Sequence, residues 1–183
     1  AEATKLSGMS ADEVNAWLNN ARYQQSIINA ITKPAEGKPW KDYRPIFMTA
    51  DRVNSGRNFY AEHKEELDRV SADTGVPPQY IVAIIGVETS YGRVTGTYRV
   101  LDALYTLAFF YPKREEFFRG ELAQLFALSK EQKLDLNTLK GSYAGAMGWG
   151  QFMPSSYRKY GKDGDGDGQA NLIASPRDAF ASI

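Results

Sequence analysis

The chain has 183 residues, and its 22 basic and 22 acidic side chains give a formal net charge of zero, which argues against nucleic acid as a partner. It has no cysteine and one histidine, which excludes thiol catalysis and disulfides and argues against a histidine-rich zinc site or a Ser-His-Asp triad. Carboxylates, amides, hydroxyls and aromatic rings therefore remain as the groups that can carry chemistry.

The first part of the chain shows helical patterns separated by turn-forming residues. Ser10 begins a capping-box pattern and predicts a helix over 11–31. Three prolines, the first of them Pro34, mark 32–48 as an irregular connector. Thr49 can cap a second helix that ends near Gly75.

The second part continues in the same way and has no convincing strand alternation, so we predict a mainly α chain. Pro77 and Pro78 suit the first turn of a helix, and 80–87 is apolar on every side, as in a helix packed all round. Further helices are predicted near 101–110 and 114–131, from Pro154, and from Ser175 or Pro176. Because the last of these stops after a few residues, we expect the chain to be part of a longer protein.

Glu88 falls on one helical face with three isoleucines. Ile81, Ile84, Ile85 and Glu88 lie at i, i+3, i+4 and i+7. Burial on that face, together with the negative end of the helix, would raise the pKa of the carboxyl. Such an acid can protonate the leaving oxygen of a glycosidic bond. The competing interpretation is a glutamate that faces solvent or pairs with Arg93.

Residues 141–154 place four glycines among aromatic and hydrogen-bonding side chains. Glycines let a ligand or another backbone approach closely. Ser142 and Gln151 can donate and accept hydrogen bonds, as sugar hydroxyls and acetamides require, and the aromatic rings offer flat faces to a pyranose. The alternatives are a close helix crossing and a compact loop packed by its own side chains.

Residues 163–169, with the sequence Asp-Gly-Asp-Gly-Asp-Gly-Gln, reproduce the first half of an EF-hand calcium loop. The predicted Ca²⁺ ligands are the side chains of Asp163, Asp165 and Asp167 and the backbone carbonyl of Gln169. Three carboxylates this close repel one another unless a cation compensates them. Ala174 stands where EF-hands carry their last glutamate, and the next acid is Asp178. The alternatives are a solvated acidic turn and, for Asp178, a helix cap.

Three strings resemble the membrane-bound lytic transglycosylase B family: Gly-Val-Glu-Thr-Ser-Tyr-Gly at 86–92, Tyr-Pro-Lys-Arg at 111–114, and the glycine-rich segment with its continuation at 141–157. The resemblance runs from about Tyr43 to the end of the sequence. It implies an α+β lysozyme-like fold, with residues 1–75 as an N-terminal helical lobe and 76–183 as part of the catalytic core. It also implies cleavage of peptidoglycan between N-acetylmuramic acid and N-acetylglucosamine, leaving a 1,6-anhydromuramoyl product.

The resemblance also implies roles for individual residues. Glu88 matches the single catalytic acid/base, and Asp178 matches a late ligand in a lengthened EF-hand loop. The positions matched to substrate binding are Tyr43, Lys113, Arg114, Ser142, Met147, Gln151 and Phe152. Met147 and Phe152 correspond to the cleft wall. Lys113 stands where relatives carry arginine, whose guanidinium forms a fork with a carboxylate that an ammonium cannot form.

A single acid implies a substrate-assisted mechanism, since ordinary glycosidases need a second carboxylate. The substrate's acetamide stabilises the anomeric centre, and the muramoyl 6-hydroxyl then displaces it while Glu88 acts as base. Asp102 stays open as a second acid. The alternatives are a muramidase that uses water and a non-catalytic, calcium-stabilised glycan-binding module. We expect a periplasmic monomer that acts on peptidoglycan strands and binds no nucleic acid; an outer-membrane anchor on the full-length parent is compatible with this prediction.

Overall fold

The computed structural model describes residues 2–33 and 37–183. Within them, eleven α-helices and two short strands follow one another: α1 (Glu2–Ser7), α2 (Ala11–Asn20), α3 (Gln25–Ile31), α4 (Trp40–Phe47), α5 (Ala50–Glu62), α6 (Lys64–Thr74), α7 (Pro78–Thr89), β1 (Tyr98–Arg99), α8 (Val100–Phe110), α9 (Glu115–Glu131), β2 (Lys140–Gly141), α10 (Pro154–Tyr160) and α11 (Pro176–Ser182). The predicted mainly α class is confirmed. In this part of the chain no helix has both the length and the hydropathy to cross a bilayer.

The described residues form two compact units, each made of separate stretches of chain. The first unit holds residues 2–33, 96–147 and 151–160, and the second holds 37–95, 148–150 and 161–183. The predicted boundary at residue 75 lies inside the second unit, where α6 and α7 pack against each other on either side of it.

The first unit is built around α8 and α9. Both helices are largely buried, and α9 also packs against α1 and α10. Strands β1 and β2 pair antiparallel, with Tyr98 opposite Gly141 and Arg99 opposite Lys140. A Cβ at Gly96, whose φ is +105°, would lie 2.0 Å from the carbonyl of Gly141, so only glycine allows this approach.

The second unit is built from α4 to α7 and α11. Its core joins α5, α6, α7 and α11 through buried apolar side chains: Phe59, Leu67, Val70, Ile81, Val82, Ile85 and Phe180. The rings of Tyr91 and Trp149 pack against this core and are partly buried. Helix α7, which carries Glu88, is therefore anchored along one side by the core of the unit.

The predicted helix over 11–31 is two helices, α2 and α3, with extended residues between them. The capping box at Ser10 is confirmed. The break arises because the N–H of Arg22 donates to the Asp102 carboxylate at 2.9 Å and that of Gln24 to Thr106 Oγ1 at 3.1 Å. Side chains of α8 thus bind the N–H groups that a continuous helix would use internally.

The connector predicted at 32–48 is wrong over residues 40–47, which form α4; Pro34 lies outside the described residues. Pro39 is the N-cap of α4, and Pro45 lies inside the helix. The helix predicted from Thr49 to Gly75 is interrupted at His63, which ends α5 and precedes α6, while the Thr49 cap and the left-handed Gly75 end are confirmed.

Candidate active site and calcium loop

Glu88 lies in the last turn of α7 on its exposed face. The predicted burial of Glu88 is therefore wrong, and Ile84, placed on the same face, is 42% exposed. Helix α7 is likewise not packed all round. The core covers the side of α7 that carries Ile81, Ile85 and Thr89, and Glu88 lies just outside the edge of that side.

Three consecutive residues in left-handed conformation end α7 directly after Thr89. Ser90, Tyr91 and Gly92 have φ values of 50°, 63° and 79°. The N–H of Ser90 donates to Gly86 O and that of Tyr91 to Ile85 O, both at 3.2 Å, which satisfies carbonyls at the helix end. The turn therefore fixes where the helix stops, one residue after Glu88.

The end of α7 contacts the part of the glycine-rich segment that belongs to the same unit. Thr89 Oγ1 donates to the carbonyl of Trp149 at 2.9 Å and accepts the N–H of Gly92 at 3.0 Å. The Trp149 ring lies against Gly92, where a Cβ would be 3.0 Å from the indole. The neighbour of Glu88 is thus bonded directly to the segment that the sequence singled out as ligand-binding.

Tyr43 lines a cavity of about 330 Å³ that extends to the residue before Glu88. The lining residues are Trp40, Tyr43, Arg44, Phe47, Met48 and Val87. The Tyr43 ring lies 5.1 Å from that of Phe47 and 6.2 Å from that of Trp40. The helical spacing of these three aromatic residues was the sequence signal that could have revealed α4 and this apolar cavity.

In the first unit, Ser142 organises the loop that follows β2. Its Oγ accepts the N–H groups of Ala144 and Ala146 at 3.2 and 3.1 Å. Met147 and Phe152 exchange two backbone hydrogen bonds of 2.9 Å each, which closes the turn that contains Gln151. Met147 is fully buried, and its place in the cleft wall stays a prediction. The sugar contacts of Ser142, Gln151 and Phe152 stay predictions.

Lys113 and Arg114 lie in a short 3-10 helix of the first unit, Pro112–Arg114, and both are exposed. The Arg114 guanidinium stacks over the ring of Phe117 at 4.2 Å, a cation–π contact that holds it in one direction. Contact of either residue with a stem peptide stays a prediction.

Asp102 holds a structural position in the first unit. Its carboxylate accepts hydrogen bonds from the Arg22 N–H, from Gln24 Nε2 at 3.2 Å and from Arg99 Nε at 3.0 Å. It is buried and paired with the Arg99 guanidinium. A carboxylate with this many fixed partners joins chain segments and is poorly suited to exchange protons with a substrate.

The calcium loop brings the predicted carboxylates together. Asp163, Asp165 and Asp167 each offer an oxygen, and these atoms lie within 4.8 Å of one another. Asp163 accepts the N–H groups of Gly166 and Gly168 at 2.6 and 2.8 Å. These backbone hydrogen bonds, that from Gly168 first, lower the pKa of Asp163 and keep it charged. A cluster of charged hard oxygens fits a calcium ion.

Asp178 is fully buried and does not belong to that group of three carboxylates. Its oxygens accept the N–H of Gly164 at 2.7 Å and the N–H of Asn171 at 2.6 Å, so it ties the two sides of the loop to α11. Its own N–H donates to Ser175 Oγ, the cap of α11. Its role as a metal ligand stays a prediction.

Comparisons with known proteins identify transglycosylases as similar to this chain. The family model described as the transglycosylase SLT domain matches residues 1–183. The membrane-bound lytic murein transglycosylase B of Escherichia coli K12 is 42% identical over 186 residues, which cover 96% of this chain and 51% of that protein. The chain therefore spans about half the length of this curated relative.

Solved structures of lytic transglycosylases are also similar. SltB1 from Pseudomonas aeruginosa is 49% identical with a TM-score of 0.92 over 99% of this chain and 60% of that chain. Slt35 from Escherichia coli, in complex with calcium, is 42% identical with a TM-score of 0.89 over 99% and 58%. SltB3 from Pseudomonas aeruginosa, in complex with NAG-NAM-pentapeptide, is 31% identical with a TM-score of 0.87 over 96% and 47%.

Proposed function

The chain belongs to the transglycosylase SLT domain family, and from this premise we propose that it is the catalytic part of a lytic transglycosylase that cleaves peptidoglycan strands in the periplasm, at the cell envelope. The observation that carries the proposal is the position of Glu88 at the end of α7, where its neighbour Thr89 is bonded to Trp149 of the glycine-rich segment. A carboxyl group is thereby held at an exposed surface beside a segment rich in glycines and aromatic rings.

In the proposed reaction Glu88 acts first as acid and then as base. It donates its proton to the oxygen that leaves with N-acetylglucosamine, while the acetamide of the muramoyl residue stabilises the anomeric carbon. The Glu88 carboxylate then takes the proton of the muramoyl 6-hydroxyl, and the oxygen of that group bonds to the anomeric carbon. The glycosidic bond breaks, an intramolecular ether forms, and no water is consumed.

One carboxylate is enough for this scheme, and the buried carboxylates among the described residues support it. Asp102 is paired with Arg99, Glu121 accepts the Ser155 N–H at 3.0 Å and its hydroxyl at 2.5 Å, and Asp178 binds backbone N–H groups. Because each of these three is engaged by structural partners, none of them suits the role of the second carboxylate that a hydrolytic pair requires.

Substrate binding is proposed for side chains of both units, each from its own surface. Tyr43 offers a ring beside the cavity next to Val87. Ser142, Gln151 and Phe152 offer hydrogen-bonding groups and a ring, and Lys113 and Arg114 offer charges suited to the carboxylates of a stem peptide. The complex of the similar SltB3 with NAG-NAM-pentapeptide supports a muropeptide as the ligand class.

The same family relation supports a structural calcium ion. Asp163, Asp165, Asp167, Gln169 and Asp178 would hold it, and the calcium complex of the similar Slt35 supports calcium as the ion. The ion would neutralise the carboxylates of the loop and hold α11 against the rest of its unit; it takes no part in the cleavage.

The products distinguish the proposed function from its alternatives. Purified sacculi digested with the natural full-length protein are expected to release muropeptides with 1,6-anhydromuramoyl ends, which mass spectrometry detects as one water lighter than reducing ends. Reducing ends would identify a hydrolytic muramidase instead. Binding to sacculi without soluble products would identify a glycan-binding module. Either result would overturn the proposal.

A further inference from the structure

The turn that follows Glu88 adopts a backbone conformation that needs support. Ser90 and Tyr91 are non-glycine residues in the left-handed region, which is unfavourable for residues that carry a Cβ. Helix ends also fray readily, since their last carbonyls have no partner within the helix. An exposed Glu88 in this last turn therefore depends on neighbouring side chains for a fixed position.

Arg52 and Tyr91 supply that support, because the side chain of each binds the part of the chain in which the other lies. The Arg52 guanidinium donates to Gly86 O at 2.6 Å and to Ser90 Oγ at 3.3 Å. In return, the Tyr91 hydroxyl donates to Arg52 O at 2.8 Å. Burial raises the pKa of the Tyr91 phenol, against the charges of Arg52 and Arg93, so the hydroxyl keeps the proton that it donates.

Two glycines form a seat for the Tyr91 ring between α5 and α7. A Cβ at Gly56 would lie 2.6 Å from the Tyr91 hydroxyl oxygen and 3.1 Å from the ring carbon that bears it. A Cβ at Gly86 would lie 2.8 Å from the hydroxyl oxygen and from two ring carbons. Real side chains do not approach this closely, so the ring occupies its position because both residues are glycine.

We infer that Arg52 and Tyr91, seated on Gly56 and Gly86, are positioning residues that hold the Glu88 carboxylate in its reactive place. The inference rests on the proposed role of Glu88 as acid/base. A helix can end without this arrangement, because a single glycine after its last residue is enough to terminate it. The seat additionally fixes the backbone of Glu88, Thr89 and Ser90 in one conformation.

The test replaces each seat glycine by alanine in the natural full-length protein. A cavity of about 570 Å³ adjoins the seat, lined by Tyr91, Gly56 and Val82 among others, so a displaced ring has space and the variants are expected to fold. Gly56→Ala and Gly86→Ala are expected to lower kcat for sacculus digestion about 10- to 100-fold, with KM changed little, because a small displacement of a catalytic group has an effect of that size.

Tyr91→Phe is expected to restore the kcat that Gly56→Ala lowers. On its own it removes one hydrogen bond and is expected to lower kcat a few-fold. In Gly56→Ala/Tyr91→Phe the atom at 2.6 Å is gone and the nearest ring carbon lies at 3.1 Å, so kcat is expected to return to the level of Tyr91→Phe alone. Gly86→Ala is not expected to be rescued, since the ring carbons themselves lie at 2.8 Å.

Gly120→Ala is the matched control, because nothing lies within 4 Å of a Cβ there, and it is expected to leave kcat unchanged. A Gly56→Ala protein that melts lower but keeps its kcat, or a double variant no better than Gly56→Ala, would overturn the inference. Retention of full activity by Glu88→Gln would instead overturn the proposed function, so the two failures are distinguishable.

Discussion

The loop after β2 packs so closely against Gly141 that a side chain at this position has no room. A Cβ at Gly141 would lie 2.2 Å from the carbonyl oxygen of Ala146 and 3.0 Å from a methyl group of Val100. Backbone atoms cannot move away as a flexible side chain can. Gly120, inside α9, has open space at the same position. Two glycines of the same unit therefore differ in what they contribute.

The pair gives a direct prediction. Gly141→Ala is expected to lower the free energy of unfolding by about 1–3 kcal/mol, the usual cost of forcing extra atoms into a packed region. Gly120→Ala is expected to raise it by about 0.5–1 kcal/mol, because alanine loses less backbone entropy in a helix. Urea unfolding of both variants measures the difference. Equal stability of the two would show that the close approach at Gly141 is not present in solution.

The sequence singled out Glu88 as a candidate acid, but it did not predict which residues surround it. The spacing along α7 places Glu88 on one face with Ile81, Ile84 and Ile85. Which face of α7 is buried depends on how α5 and α6 pack against it, and the spacing within α7 carries no information about that packing. The residues around Asp102 show the same limit, since its partners Arg22 and Gln24 lie about eighty residues earlier in the chain.

Among the elements, the calcium loop and α11 depend on each other. Asp178 of α11 accepts N–H groups from both sides of the loop, and the Ser175 hydroxyl, the cap of α11, donates to Asp165 at 3.0 Å. Arg69 of α6 donates to the carbonyl of Gly164. The loop is thus bonded to two helices of its unit, and a cation that orders the loop should stabilise that unit.

Calcium is expected to raise the melting temperature by about 5–10 °C at a concentration about 100 times its Kd, since such a ligand adds about 2.7 kcal/mol to the native state. Differential scanning calorimetry with calcium and with a chelator measures this shift. Asp163→Asn is expected to abolish most of it. Asp73→Asn, an exposed acid on α6, should retain it. Identical melting with calcium and chelator would contradict the calcium site.

The limits of helices were predictable where local signals set them. Ser10, Thr49 and Gly75 act through their own backbone neighbours, and all three ends are confirmed. The break at residues 21–24 was not predictable, because α8 imposes it through Asp102 and Thr106. The signal for α4 was present in its aromatic spacing but was outweighed by its prolines.

For the whole molecule, three short strings were enough to indicate the family, and the match over residues 1–183 confirms it. Similarity to Slt35 at a TM-score of 0.89 agrees with the implied lysozyme-like fold. The composition of the two units could not be predicted from the sequence, since each unit joins stretches from distant parts of the chain. Residues 141–154 contribute to both units, so a boundary drawn at one point in the sequence cannot separate them.

In the proposed reaction one carboxyl group, that of Glu88, provides both proton transfers. The most direct measurement is the rate at which Glu88→Gln in the natural full-length protein releases soluble muropeptides from sacculi, with Asp102→Asn as control. Because Glu88 is exposed, the glutamine variant should melt like the wild type, whereas loss of the Arg99 pairing should make Asp102→Asn melt lower.

Glu88→Gln is expected to lower kcat by about 100- to 10,000-fold, the range expected for general acid–base catalysis. Asp102→Asn is expected to retain kcat below its melting temperature. Release of anhydromuropeptides by Glu88→Gln at the wild-type rate, or the loss of activity in folded Asp102→Asn instead, would contradict the proposed role of Glu88.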